Sequence, residues 1–362
     1  MRSKKVLVLC FVFFVISSVV LLACVFNHDF AEWYSRNVSS GLRIFLSSLT
    51  GFFAFSLAEC CAFLLIPVFI AFIVLLIVLL LKKSKLIYTA FKVFFSVIFV
   101  LICIFINTFA VCYFRNPIED NMKFNSISAS RKMIYETSSL IKERLESKLD
   151  AITFSDESGA SVNYNGWQEM SDKIDNGYDK LCSKYPFITQ INSLPKKLFI
   201  SPIMTYTHIS GIYMPFTGEA NINTNYPDYV VAFTVAHEKA HQRGIAGEDE
   251  ANFIAFLACA MSDDDYIEYA AYMSMYDYFL DSLYKYDSEM YRYLIGESDK
   301  RVLSEMYAYS VFFDKYRNST ASKVANEVND TYIKVMGDGD GVESYGRVVE
   351  LVCGYIKKNS LP

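Results

Sequence analysis

The sequence predicts a mainly α protein: apolar N-terminal helices of membrane-spanning length, then a mostly helical domain with a small β element. Three observations carry this. Residues 6–26, 60–81 and 93–114 contain no charged side chain. The segment 197–223 is rich in β-branched and aromatic residues, with Pro202, Gly211, Pro215 and Gly218 as breaks. From Tyr226 almost to the end, apolar residues recur every three or four positions, the period of a helix with one buried face. The composition agrees: 53% of the 362 residues are apolar and 20% charged, against about 45–50% and 25% in soluble domains.

Each uncharged run spans about 32 Å as a helix, enough for the hydrocarbon core of a bilayer. Charge divides the chain at their end. Residues 1–114 carry nine Lys and Arg against three acids, and residues 115–362 carry 25 against 36. The acidic domain has no basic footprint, which excludes nucleic acid as a partner class. Arg2, Lys4 and Lys5 precede the first run, and Lys82, Lys83, Lys85 and Lys92 lie between the second and third. By the positive-inside rule these ends are cytoplasmic, so residues 115–362 are expected outside the cytoplasm of a multi-pass protein. The run Leu21-Leu22-Ala23-Cys24 is also similar to a bacterial lipoprotein cleavage box, which would leave the large domain on the same side. Residues 38–56, with Arg43 inside a moderately apolar stretch, read as an amphipathic segment on the outer face. Glu59 marks the wet start of the second run. Six of the nine cysteines fall in the apolar runs. Cys182, Cys259 and Cys353 form no disulfide framework.

In the outer domain, residues 128–149 and 167–185 predict helices, separated by a polar loop at 154–166. One strand is expected near 219–223. The tyrosines of residues 266–293 recur at helical spacing and read as core. Residues 337–341, with Asp338 and Asp340, read as a tight turn without the further ligands of a calcium loop.

The chemistry sits in His237-Glu238-Lys239-Ala240-His241. Pro227 can open a helix and Gly244 can close it. Histidines four apart share one helix face, so both imidazoles can bind one zinc ion, and Glu238 can serve as general base on its water. A third ligand is needed. Glu248 opens the next helix and is the best candidate. Glu250 points about 200° away and is the weaker one. Asn252, four residues after Glu248, can orient a metal-binding group through a hydrogen bond. His28 reads as a satisfied polar residue. His208, ahead of the predicted strand, can polarise a carbonyl. Tyr345 and Arg347 can donate to a transition state or simply begin a helix.

The runs Thr217-Gly218-Glu219-Ala220-Asn221-Ile222-Asn223, Phe233–Gly244 and Glu248-Asp249-Glu250-Ala251-Asn252-Phe253, with Asp340–Val349 near the end, resemble a bacterial family of uncharacterised membrane proteins. Its members have about three N-terminal spans and a C-terminal zincin-like region. More distantly, Glu248–Asn252 is similar to the third-ligand helix of membrane-associated gluzincins and phage-repressor-cleaving metallopeptidases. There the first Glu binds zinc, which implies the same for Glu248. Only six residues separate His241 from Glu248, fewer than those families insert. The expected function is a membrane-anchored zinc metallopeptidase acting on a peptide or protein. The alternative is a non-catalytic sensor or assembly protein with structural zinc. A transporter subunit is disfavoured, because the apolar runs hold almost no ionisable residues.

Overall fold

The computed structural model describes residues 2–125, 127–317, 319–335 and 345–362. The predicted turn at 337–341 lies outside them. The fold is mainly α, with one three-stranded sheet. The chain divides into two compact units, residues 1–116 with 214–219, and residues 117–213 with 220–362.

The first unit holds α1 (Arg2–Phe26), α2 (His28–Tyr34), α3 (Ser40–Gly51), α4 (Leu57–Leu81) and α5 (Ile87–Thr108). Among the described residues three helical stretches, Ser3–Phe26, Leu57–Leu81 and Ile87–Phe114, are long and apolar enough to cross a membrane. α1 packs along α5, where Phe11 and Phe14 meet Phe99. Asn107 bonds both Ser17 and Tyr34. The segment predicted to be amphipathic contains α3, which has one polar and one apolar stripe. Arg43, Ser47 and Thr50 of α3 face inward and are buried, while Leu42, Ile44, Phe45 and Leu49 are exposed. The Arg43 guanidinium donates to Ser39 Oγ at 2.6 Å and to the Thr108 carbonyl and Cys112 Sγ. A helix with its polar stripe inward and its apolar stripe outward suits an apolar solvent, where every buried donor needs an internal acceptor. His28 Nδ1 meets the Phe114 carbonyl, a structural role. The Glu219 carboxylate receives the Leu57 and Ala58 N–H groups at 3.0 and 2.8 Å, at the helix N-terminus that favours an anion.

The second unit begins with α6 (Ile118–Met122), α7 (Arg131–Lys148) and α8 (Trp167–Lys184). β1 (Lys196–Lys197), α9 (Ser201–Met204), β2 (Gly211–Met214) and β3 (Glu219–Ile222) follow. The sheet order is β1-β3-β2, with Lys196 opposite Asn221 in a parallel pair and β2 at an edge. Then come α10 (Asp228–Gln242), α11 (Glu248–Ala260), α12 (Asp265–Tyr286), α13 (Ser288–Gly296), α14 (Lys300–Asp314), α15 (Thr320–Val335) and α16 (Tyr345–Lys358).

Every residue of α11 from Ala251 to Ala260 is buried. A helix apolar all round belongs at the centre of a domain, and α11 packs there among α8, α10, α12 and α16. Tyr266, Tyr269, Tyr272 and Tyr276 of α12 are core, as their spacing predicts, whereas Tyr284 and Tyr286 near its end are exposed. Tyr269 donates to Glu305, Tyr272 to the Pro362 carbonyl, and Tyr276 bonds Ser298. Their rings fill the interior while each hydroxyl finds a partner.

α8 lies so close to α11 that a Cβ on Gly177 would meet the Ala258 carbonyl oxygen at 1.9 Å. Only a residue without a side chain permits this crossing. Gly177→Ala is expected to destabilise the protein by about 1–3 kcal/mol, the cost of overpacking. Gly296→Ala, where a Cβ meets nothing within 4 Å, leaves the melting temperature unchanged or higher. Thermal unfolding of the two variants checks this.

Candidate metal centre

α10 is built as its sequence requires. Pro227 caps its start, and Asp228 sits in the first turn, where a negative charge meets the helix dipole. Gly244 ends it with φ +88°, a left-handed conformation that costs glycine little. The Ile245 N–H then bonds back to the Ala240 carbonyl, and the Gly244 N–H to that of His241. This closing turn has a chemical consequence. It brings the Ile245 carbonyl 2.7 Å from His241 Nδ1.

A carbonyl oxygen only accepts, so His241 must carry a proton on Nδ1, and its Nε2 is the ring atom turned toward Glu248. His237 is fixed in the same way. Its Nδ1 lies 2.8 Å from Asn252 Oδ1, on the first turns of α11. Both Nε2 atoms then face one carboxylate. His237 Nε2 is 3.2 Å from Glu248 Oε2, and His241 Nε2 is 3.6 Å from Glu248 Oε1. The two rings stand edge to face at 4.7 Å. Among the described residues, His237, His241 and Glu248 form the one group of three whose ligand atoms all lie within 4.8 Å of one another.

Asn252 thus lies against the His237 ring, where a residue one turn after Glu248 on α11 can reach. Glu250 lies elsewhere. Its Oε1 accepts the Ile118 N–H at 3.0 Å and faces Arg347 at 3.7 Å. Burial and the neighbouring Asp249 push Glu250 up to about 7, with Arg347 opposing them. His208 donates to or accepts from no group of the triad. Its Nε2 meets the Tyr316 carbonyl at 2.8 Å, and its ring packs on Phe313. Arg347 pairs with Asp249 at 3.1 Å and with Glu119 at 3.5 Å. The Tyr345 side chain lies outside the described atoms.

Glu238 is almost wholly buried, and its Oε2 has no hydrogen-bond partner among the described residues. Burial raises its carboxyl above the usual range, against the pull of His237 and His241. The Tyr213 backbone N–H also reaches it. β2 passes directly over this group. A Cβ on Gly211 would lie 2.6 Å from Glu238 Oε1 and 2.6 Å from Thr234 Cγ2. A buried carboxyl oxygen without a donor is expensive.

The donor set fits a divalent transition ion. Two imidazole Nε2 atoms and one carboxylate converge, and each imidazole donates its Nδ1–H to a carbonyl-type oxygen, the arrangement that orients histidine ligands. Electrostatics agree. Burial disfavours a charged His241, but Glu248 outweighs it and takes the imidazole up to about 9. Against the desolvation of a partly exposed side chain, Glu248 is held well below the usual carboxylate range by His241 and His237. A cation among these groups would replace the proton on His241.

Sequence reasoning missed what lies behind α10. Lys239 and Arg243, four apart on its opposite face, share Asp175 of α8 at 2.6 and 3.0 Å. The signal was present: two basic residues at helical spacing within a buried helix, and one acid on the apolar face of another.

A model of the family described as "Protein of unknown function (DUF3810)" matches residues 34–353. The chain belongs to this family. No curated protein and no solved structure matches it.

Proton competition at His241 gives a test. Below about pH 9 a bound cation must displace the His241 proton, so apparent affinity rises with pH and levels off above that value. Zinc affinity of the purified chain, measured by chelator competition, is expected to increase about tenfold per pH unit from pH 7 to 9. A flat profile would contradict the assignment of His241.

Proposed function

We propose that this chain is a membrane-anchored zinc-dependent metallopeptidase that hydrolyses peptide bonds outside the cytoplasm. One observation carries the reading: His237, His241 and Glu248 converge on one point, with the unpartnered buried oxygen of Glu238 on the helix that supplies both histidines. Among the described residues three side chains converge, an arrangement that supports catalysis over structure, since structural zinc sites are closed by four. The apolar helices and the Lys and Arg near their ends support the membrane location and an outward-facing domain.

His237, His241 and Glu248 would hold the ion. Zinc bound there supplies Lewis acidity toward the scissile carbonyl and lowers the pKa of the attacking water. Glu238 Oε2 takes the proton from that water and delivers it to the leaving amine nitrogen. Burial raises its carboxyl above the usual range, the direction that makes a carboxylate a better proton acceptor. The Tyr213 N–H and the absence of a side chain on Gly211 hold the carboxyl in place. β2 is an edge strand whose Gly211 lies on Glu238, so an extended peptide pairing with that edge would bring its backbone beside the base.

The full chain, purified in detergent or nanodiscs, is expected to hold about one zinc ion and to cleave a fluorogenic peptide library. Glu238→Gln should keep the metal and lower turnover by roughly 10²- to 10⁴-fold, the range for loss of a general base. His237→Ala should lose both metal and activity. Retained cleavage in Glu238→Gln would refute the mechanism.

A further inference from the structure

The N-terminus of α11 carries Glu248, Asp249 and Glu250 in succession, and Gly247 provides no side-chain cap. A helix N-terminus welcomes negative charge, but each favourable contact is small, about 0.3–1 kcal/mol. Three carboxylates within one turn also repel one another. Asp249 is moreover turned inward, its side chain only 1% exposed. A carboxylate buried that deeply needs a cation.

Arg347 provides it, from the first turn of α16, almost a hundred residues later. Its Nε lies 3.1 Å from Asp249 Oδ2. Its Nη2 lies 3.7 Å from Glu250 Oε1 and 3.5 Å from Glu119 Oε2 of α6. The Glu250 carboxylate in turn accepts the Ile118 N–H that opens α6. One guanidinium thus ties α6, α11 and α16 together at the turn from which Glu248 projects. Its planar fork can serve several carboxylates at once, which an ammonium cannot do as well.

We propose that Arg347 is a positioning residue that holds the first turn of α11 so that Glu248 stays aimed at His237 and His241. This inference rests on the metal-binding reading above. It assigns Arg347 no contact with substrate. With the guanidinium removed, Asp249 and Glu250 relax toward water, the backbone at Glu248 turns with them, and the ligand carboxylate leaves the imidazoles.

The test is zinc affinity of the full chain by chelator competition, with the melting temperature of the metal-free protein measured alongside. Arg347→Gln is expected to weaken zinc binding by roughly 10- to 100-fold, the range for residues that orient metal ligands. Arg347→Lys keeps the charge and recovers part of the loss. Asp249→Asn combined with Arg347→Gln weakens binding no further than Arg347→Gln alone, because the two act through one contact. A merely structural role would lower the melting temperature and leave the affinity of folded protein unchanged, and that result overturns the proposal. Unchanged affinity in Arg347→Gln while wild type binds zinc also overturns it, without touching the metal reading. If wild type binds no zinc, the metal reading fails and the role of Arg347 falls with it. Should Arg347→Gln not fold, equal affinity in Arg347→Lys and wild type, together with equal affinity in Asp249→Asn, overturns the proposal.

Discussion

The rotation of α10 about its own axis is the constraint on which the site depends, and Asp175 sets it. Lys239 and Arg243 are about 200° around the helix from His237 and His241. Asp175 accepts from both bases, and Ser171 takes a further Lys239 hydrogen bond. Arg243 also lies over the Tyr178 ring at 3.9 Å, and Tyr178 donates to the Ala236 carbonyl. All of this lies in the interior. Burial pulls the Lys239 ammonium down to about 8, with Asp175 opposing the change. Replacing such a network by apolar residues would often cost little, but breaking it leaves a charge stranded. Its value here is directional. Once the bases point at α8, the histidines can only point away from it.

Local turn geometry then finishes what rotation begins. The Gly244 turn brings the Ile245 carbonyl onto His241, and the short link to α11 brings Asn252 onto His237 and Glu248 between the two rings. The cluster is therefore an ordered set of side chains, each imidazole fixed by a hydrogen bond at Nδ1 and both Nε2 atoms turned to one carboxylate. Residues that fix ligands in advance lower the ordering cost of binding, which is how a preorganised site gains affinity.

What could be read in the sequence was local. The α10 helix from Pro227 to Gly244, the nearness of Glu248 rather than Glu250 to the two histidines, the hydrogen bond of Asn252 to His237 and the buried tyrosines of α12 all follow from spacing on one or two helices. What could not be read was long-range. Nothing near Arg43 says that its stripe faces inward, because periodicity gives the two faces but not which solvent each meets. Nothing around residues 214–219 says that the tip of the β2–β3 turn groups with the apolar helices. Gly211 reads as a loop breaker, and its real constraint is the carboxyl beneath it. Arg347 suggests a substrate contact by its residue type, and its partners lie in α6 and α11. His208 is absorbed by Tyr316 and Phe313. In each case the deciding partner is distant in the chain.

X-ray absorption at the zinc edge, on the full-length protein in a bilayer mimic, tests the central claim most directly. The account predicts one ion per chain with a light-atom shell near 2.0–2.1 Å, two imidazole scattering signatures, a carboxylate oxygen and one further oxygen. An ion bound through sulfur would contradict it, as would one with fewer than two imidazoles.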